Sequence, residues 1–103
     1  MPDFSKITPD IIEGVAKGDA ILLDVRRDDE WQAGHAVGAV HFPVERMKAG
    51  ELPDIPKDKP VYVHCAAGVR AQAAAELLMA NGWQNVFNVC GLKDWQEAGG
   101  PVQ

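Results

Sequence analysis

Residues 61–80, VYVHCAAGVRAQAAAELLMA, constrain the fold of this chain more than any other stretch. Val61-Tyr62-Val63 is a short apolar run of the kind that forms a buried strand. From Ala71 onward the composition is alanine-rich, with Leu77, Leu78 and Met79, and strongly favours helix. Between the two lies Cys65-Ala66-Ala67-Gly68-Val69-Arg70, a turn long enough to reverse the chain and no longer. A strand–turn–helix unit sets the turn at the positive end of the helix dipole, among backbone N–H groups that lack helical partners. A cysteine held there has its thiolate form favoured. Ala66, Ala67 and Gly68 are small enough for the backbone to curl round the sulfur, and Arg70 adds a fixed positive charge. The stretch reads as an anion cradle around a nucleophilic sulfur, the competing reading being a cysteine that is merely a small buried hydrophobe.

The remaining segments supply the sheet into which this unit fits. Thr8-Pro9-Asp10 is a helix start, with Ile11, Ile12, Val15 and Ala16 as its apolar face and Gly18 as its stop. Phe4 to Ile7 is expected to form a short leading strand. Ala20 to Leu23 reads as a buried strand ended by Asp24, and Ala39 to Phe42 as a second one closed by Pro43. The charged connection 25–35 has room for a turn of helix at Asp28 to Gln32, and Val44 to Gly50 for a short helix. Leu52 to Pro60, with Pro53, Pro56 and Pro60, is expected to be an exposed, stiff loop. After Asn81-Gly82, Val86 to Val89 is the last strand, Cys90-Gly91 a turn, and Leu92 to Ala98 a closing helix.

Strands alternating with helices imply an α/β fold with a small, mainly parallel sheet covered by helices on both faces. Ligand sites in such sheets collect beyond the carboxyl ends of the strands. Asp24, Cys65 and Cys90 each follow an expected strand, so all three belong on one edge. At 103 residues the chain has material for one domain, 1–103, with one core.

Composition narrows the partners. A net charge of -5 argues against nucleic acid and anionic membranes, and requires any anionic substrate to be attracted locally. Two cysteines are too few for a disulfide framework, and His35, His41 and His64 show no metal-ligand spacing, so neither metal nor cofactor is expected. MPDFSKITPD lacks the pattern of a signal peptide, and no apolar run approaches membrane-spanning length. A reducing, cytoplasmic setting is expected, in which a free thiol stays usable.

Taken in order, LLDVR at 22–26, DEWQAGHAVGAVHFP at 29–43, VYVHCAAGVRAQAAAELLMANGW at 61–83 and VFNVCGLKDWQEAGGPV at 86–102 resemble a single-domain rhodanese, a thiosulfate or persulfide sulfurtransferase. The resemblance runs from about Ile7 to Val102. It implies Cys65 as the sulfur-accepting nucleophile and Cys65 to Arg70 as the active-site loop, with Ala66, Ala67, Gly68, Val69 and Arg70 against the donor. It also implies a small anionic donor such as thiosulfate and an acceptor that is cyanide, a small thiol or a protein cysteine. Two departures stand out: Cys90 occupies the first of two positions where the family usually has paired glycines, and Arg70 is the only cation of the loop.

Other readings stay open at this stage. A cysteine phosphatase also uses a cysteine-to-arginine loop before a helix, but its loop holds one residue more, and here Ala71 stands where its arginine would be. A noncatalytic interaction module should have lost the nucleophile that Cys65 retains. A thiol redox protein would need Cys65 and Cys90 to meet through the fold, because there is no Cys-x-x-Cys. Asp24 and Arg26 are expected to pair beneath the loop and fix its backbone. Glu30 and His35 are expected to act as hydrogen-bonding struts, and His64 to point away from the cysteine side. Trp31, Trp83 and Trp95 are expected to pack, and Arg27, Lys57, Lys59 and Lys93 to be solvated charges.

Overall fold

The structure, a computed structural model, describes residues 5–103. Helix α1 (Pro9–Lys17) begins where expected: Thr8 is extended and its Oγ1 accepts the Ile11 N–H at 3.4 Å, while Gly18 ends the helix. Strand β1 (Ile21–Asp24) is displaced by one residue from the expected run, so that Asp24 is its last residue and not the residue after it. Helix α2 (Asp28–Ala33), strand β2 (Val40–His41) and helix α3 (Val44–Lys48) follow. Then come β3 (Val61–Cys65), α4 (Val69–Ala80), β4 (Val86–Gly91) and α5 (Leu92–Glu97). Cys90 and Gly91, expected as a turn, are the last two residues of β4. The expected leading strand lies partly outside the described residues. Ser5 to Ile7 are not a strand, although the Ser5 N–H donates to Asn88 O at 2.7 Å.

The four strands pair in the order β2-β1-β3-β4, every pairing parallel. Parallel pairing brings all four carboxyl ends to one edge, with Asp24 beside His41 on one side and His64 on the other. Cys65 lies opposite Gly91, after an irregularity in the register between Val63 and Cys65.

The sheet is buried on both faces, and the two faces carry separate apolar clusters. Leu23, Val61, Val63 and Cys65 pack with Val44 and Met47 of α3 and with Ala71, Ala74 and Leu78 of α4. Leu22 and Val89 pack on the opposite face with Val15 of α1 and Trp95 of α5. Successive residues of a strand face opposite sides, so Leu22 and Leu23 serve the two clusters in turn. Burying both faces explains why these strands are continuous apolar runs rather than alternating ones.

Two expectations about the surface are corrected. The 52–60 segment is not simply exposed: Pro53 and Ile55 are buried, and Ile55 joins the α4-side cluster beside Trp83, whose Nε1–H donates to Pro56 O at 3.1 Å. Prolines hold the segment in the course that lets Ile55 reach the core. Lys57 and Lys59 are more than solvated charges. Lys57 Nζ donates to Asn81 O at 2.9 Å just past α4 and sits 4.6 Å from the Trp83 ring. Lys59 Nζ donates to Gly18 O at 2.8 Å just past α1. A cation beside the carbonyl-rich end of a helix is favourable.

The carboxyl end of β1 holds a buried ion pair. Asp24 is fully buried and Arg26 is 7% exposed. Arg26 Nε lies 3.0 and 3.1 Å from the two carboxylate oxygens, and its Nη2 lies 2.8 Å from Oδ2. The Arg26 backbone N–H donates to Oδ1 at 3.0 Å, and Nη2 also donates to Gly34 O at 2.7 Å. The pair therefore ties β1 to the end of α2. Arg26→Met would strand the Asp24 carboxylate without its partner, and should cost about 3–5 kcal/mol. Adding Asp24→Asn to that variant should recover part of the loss, and urea unfolding of the two proteins measures both effects.

Candidate active site

The chain leaves β3 at Cys65 and enters α4 at Val69, so only Ala66, Ala67 and Gly68 connect them. Gly68 is the N-cap of α4 with φ 91°, a left-handed conformation that glycine adopts without a Cβ penalty. Having no side chain, Gly68 cannot cap the helix, and the cysteine does so instead. Cys65 Sγ accepts the Gly68 N–H at 2.9 Å and the Ala71 N–H at 3.4 Å. Both contacts strengthen when the sulfur carries negative charge, and both lie at the positive end of the α4 dipole. Cys65 and Gly68 are buried, whereas Ala66, Ala67 and Val69 are exposed, Val69 at 74%.

The loop is braced from β4 by two residues that the sequence reading did not single out. Gly91 lies directly against it: a Cβ there would fall 2.2 Å from Ala66 O and 3.1 Å from Cys65 O. Only glycine permits that approach. Asn88 is buried, with Nδ2 donating to Gly68 O at 2.9 Å and to Gln72 Oε1 at 3.1 Å, while Oδ1 accepts the Cys90 N–H at 3.0 Å. The available signal was a polar residue interrupting the apolar run Val86-Phe87-Asn88-Val89. A buried amide survives there only because its donors and acceptor are matched.

His64 supports the loop from the other face. It is fully buried, its Nδ1 lies 3.3 Å from Cys65 O, and its Nε2 stands 3.7 Å from Asp24 Oδ2 without a hydrogen-bond partner among the described residues. Burial pushes its pKa below the ordinary imidazole value, with the Asp24 charge opposing that shift. Burial thus disfavours the charged imidazole, and His64 neighbours Cys65 along a strand whose successive side chains face opposite sides.

Arg70 does not stand free in the loop. Its Nη1 donates to Glu30 Oε1 at 2.6 Å and its Nη2 to Glu30 Oε2 at 3.0 Å, a two-pronged bond from α4 to α2. The guanidinium lowers the Glu30 pKa from an ordinary 4.5 to about 2, and the arginine's own pKa is pushed up by the same bond. Glu30 also accepts the Arg27 N–H at 3.1 Å, which fixes its carboxylate at the start of α2. His35 is a strut as expected, its Nδ1 lying 2.9 Å from Trp31 O, while the Trp31 ring stacks between His35 and His41. Trp83 and Trp95 are buried.

Cys90 shares the carboxyl edge with Cys65, one residue before the Gly91 that pairs with Cys65. It borders a cavity of about 360 Å³ together with Ile7, Val89, Asp94 and Ala98, on the α5 side of the sheet. Cys65 packs on the α4 side. Both thiols are free. Burial first, and then Asp94, pushes the Cys90 thiol pKa up. Cys90 is also the only non-glycine with positive φ, 73°, among the described residues. Among those residues no cluster of three or more metal-ligating side chains occurs, and no helix is long and apolar enough to cross a membrane.

Comparison with known proteins accords with this geometry. Residues 9–98 match the Rhodanese-like domain family. The chain is 34% identical over 103 residues to thiosulfate sulfurtransferase GlpE of Actinobacillus succinogenes, covering 97% of this chain and 91% of that protein. It is 39% identical over 77 residues to the uncharacterized protein YqhL of Bacillus subtilis, a match that takes in 74% of this chain and only 60% of that longer protein. A rhodanese-related protein from Thermoplasma volcanium superposes with a TM-score of 0.75 at 27% identity, over 97% of this chain and 98% of that one.

Two outcomes follow from the site geometry. Cys90→Gly removes a Cβ from a left-handed position and should raise stability by about 1 kcal/mol, read as a higher urea midpoint. The second concerns Glu30, whose pKa is depressed by folding, so that its contribution is complete above its unfolded value and lost as pH falls toward the folded one. The difference in urea midpoint between the native chain and Glu30→Gln should therefore hold constant above pH 4.5 and close as pH falls toward about 2.

Proposed function

The chain belongs to the rhodanese-like family, and from that premise we propose that it is a sulfurtransferase that carries sulfane sulfur on Cys65. The observation that carries this reading is Cys65 Sγ accepting two N–H groups at the start of α4. The sulfur of the thiolate attacks the outer sulfur of the donor, a new S–S bond forms, and the donor's own S–S bond breaks with its electron pair leaving on the remaining fragment. With thiosulfate the fragment is sulfite, and with an organic hydropersulfide it is a thiolate. The same N–H groups then face the negative charge of the Cys65 persulfide. A thiophilic acceptor such as cyanide, a small thiol or a protein cysteine takes the outer sulfur and restores the Cys65 thiolate. No external oxidant or reductant enters either half-reaction.

The residues around Cys65 have distinct tasks. Gly68 and Ala71 supply N–H groups, while Ala66, Ala67, Val69 and Arg70 form the rim that meets donor and acceptor. Cys65 is fully buried, so loading requires the residues around it to open to a donor. A reducing, cytoplasmic environment suits a nucleophile that must return to the free thiol after each cycle.

Intact-mass measurement tests the reading. Incubation with a sulfane donor should add one sulfur atom to the chain, and cyanide should remove it with release of thiocyanate. Cys65→Ser should stay unmodified while Cys90→Ser loads normally. Sulfur on the Cys65→Ser protein would overturn the assignment.

A further inference from the structure

The charge around Cys65 is not what capture of a dianion calls for. Arg70 is the one cation in the loop, and both prongs of its guanidinium are taken by Glu30. Glu45 is a second carboxylate that acts on Arg70 through space, and so does Cys65. Arg27, at the start of α2, faces Asp29 at 3.4 Å and Glu30 at 3.7 Å. The residues left to meet a donor, Ala66, Ala67 and Val69, are exposed and apolar. The protein as a whole carries a net charge of -5.

Against this field the choice of donor matters. Attack on thiosulfate brings the Cys65 thiolate against a dianion, and the persulfide and sulfite that result carry the same three negative charges. Attack on the neutral form of an organic hydropersulfide, R–S–SH, involves one. There the Cys65 sulfur bonds to the outer sulfur, the R–S bond to that sulfur breaks, and R–S⁻ departs, leaving Cys65–S–SH. Atoms, charge and oxidation levels balance without a co-reactant.

We propose that Glu30 is a specificity-determining residue: by holding Arg70 in a two-pronged bond, it withholds positive charge from the Cys65 loop and biases the site toward organic hydropersulfide donors over thiosulfate. This rests on the sulfurtransferase reading of Cys65. The apolar rim serves the same preference, since Val69 offers an organic thiol a surface that sulfite cannot use.

The test compares rates of sulfur loading on Cys65, followed by intact mass, with thiosulfate and with the hydropersulfide of mercaptoethanol as donors. Glu30→Gln leaves Arg70 without its anionic partner and should raise the ratio of thiosulfate to hydropersulfide rates roughly tenfold. Glu30→Asp, which keeps the charge, should stay near the native ratio, and Arg70→Gln added to Glu30→Gln should cancel the gain. In the native protein, added salt should speed loading from thiosulfate, by screening like charges, more than loading from the hydropersulfide. That measurement needs no variant to fold. An unchanged ratio in folded Glu30→Gln, or thiosulfate loading slowed by salt, would overturn the role of Glu30 while leaving Cys65 as sulfur carrier. Loading by neither donor would remove the sulfurtransferase reading itself, and this inference with it.

Discussion

The structure depends on two central parallel strands, β1 and β3, being covered on both faces. Leu22, Leu23, Val61 and Val63 are all at most 1% exposed, and alternate residues feed separate clusters under α3 and α4 and under α1 and α5. Strands buried in this way cannot present polar side chains to water along their length. Polarity is therefore confined to their carboxyl ends, where the apolar layers give out. Asp24, Arg26, His64 and Cys65 all lie at that boundary, and apart from His64 Nε2 they are held by local bonding.

That arrangement separates the supporting polar contacts from the Cys65 sulfur. On one face, Asp24 and Arg26 close a buried ion pair that reaches the end of α2, and His64 touches the carbonyl of Cys65. On the other, the Cys65 sulfur takes N–H groups that a helix start leaves unpartnered. A buried ion pair contributes little net stability against an apolar replacement, because desolvation offsets its attraction. What it contributes here is position, since Arg26 links the strand that precedes the site to the helix that carries Glu30.

The β4 side supplies the remaining restraint. Gly91 brings its backbone against Ala66, and Asn88 bonds to Gly68 O, so both ends of the Cys65 loop are referred to one neighbouring strand. The left-handed Cys90 lies between these two residues. Its conformation falls where β4 runs directly into α5, at the last residue before Gly91. A glycine would adopt that conformation without strain.

Much of this was legible in the amino-acid sequence. The apolar runs, the helix formers after Gly68 and the alternation of elements determined a parallel α/β sheet. The placement of Cys65 between Val63 and Ala71 determined a sulfur at a helix start, because strand–turn–helix geometry follows from local periodicity and from the glycine. Tertiary structure alone decided what that sulfur and its arginine meet. Glu30 and Arg70 are 40 residues apart in the chain, and nothing in either segment encodes their pairing. Asn88 and Gly91 brace the loop only because β4 pairs with β3 in one register. The sequence put Cys65 and Cys90 on one edge, and only the fold decided that Cys90 takes a positive φ and borders the cavity beside Asp94 while Cys65 packs against α4, since a positive φ is not carried by strand alternation. Local patterns record what each segment prefers, whereas contacts between segments depend on packing a whole core, and the charge balance of this site is a product of such contacts.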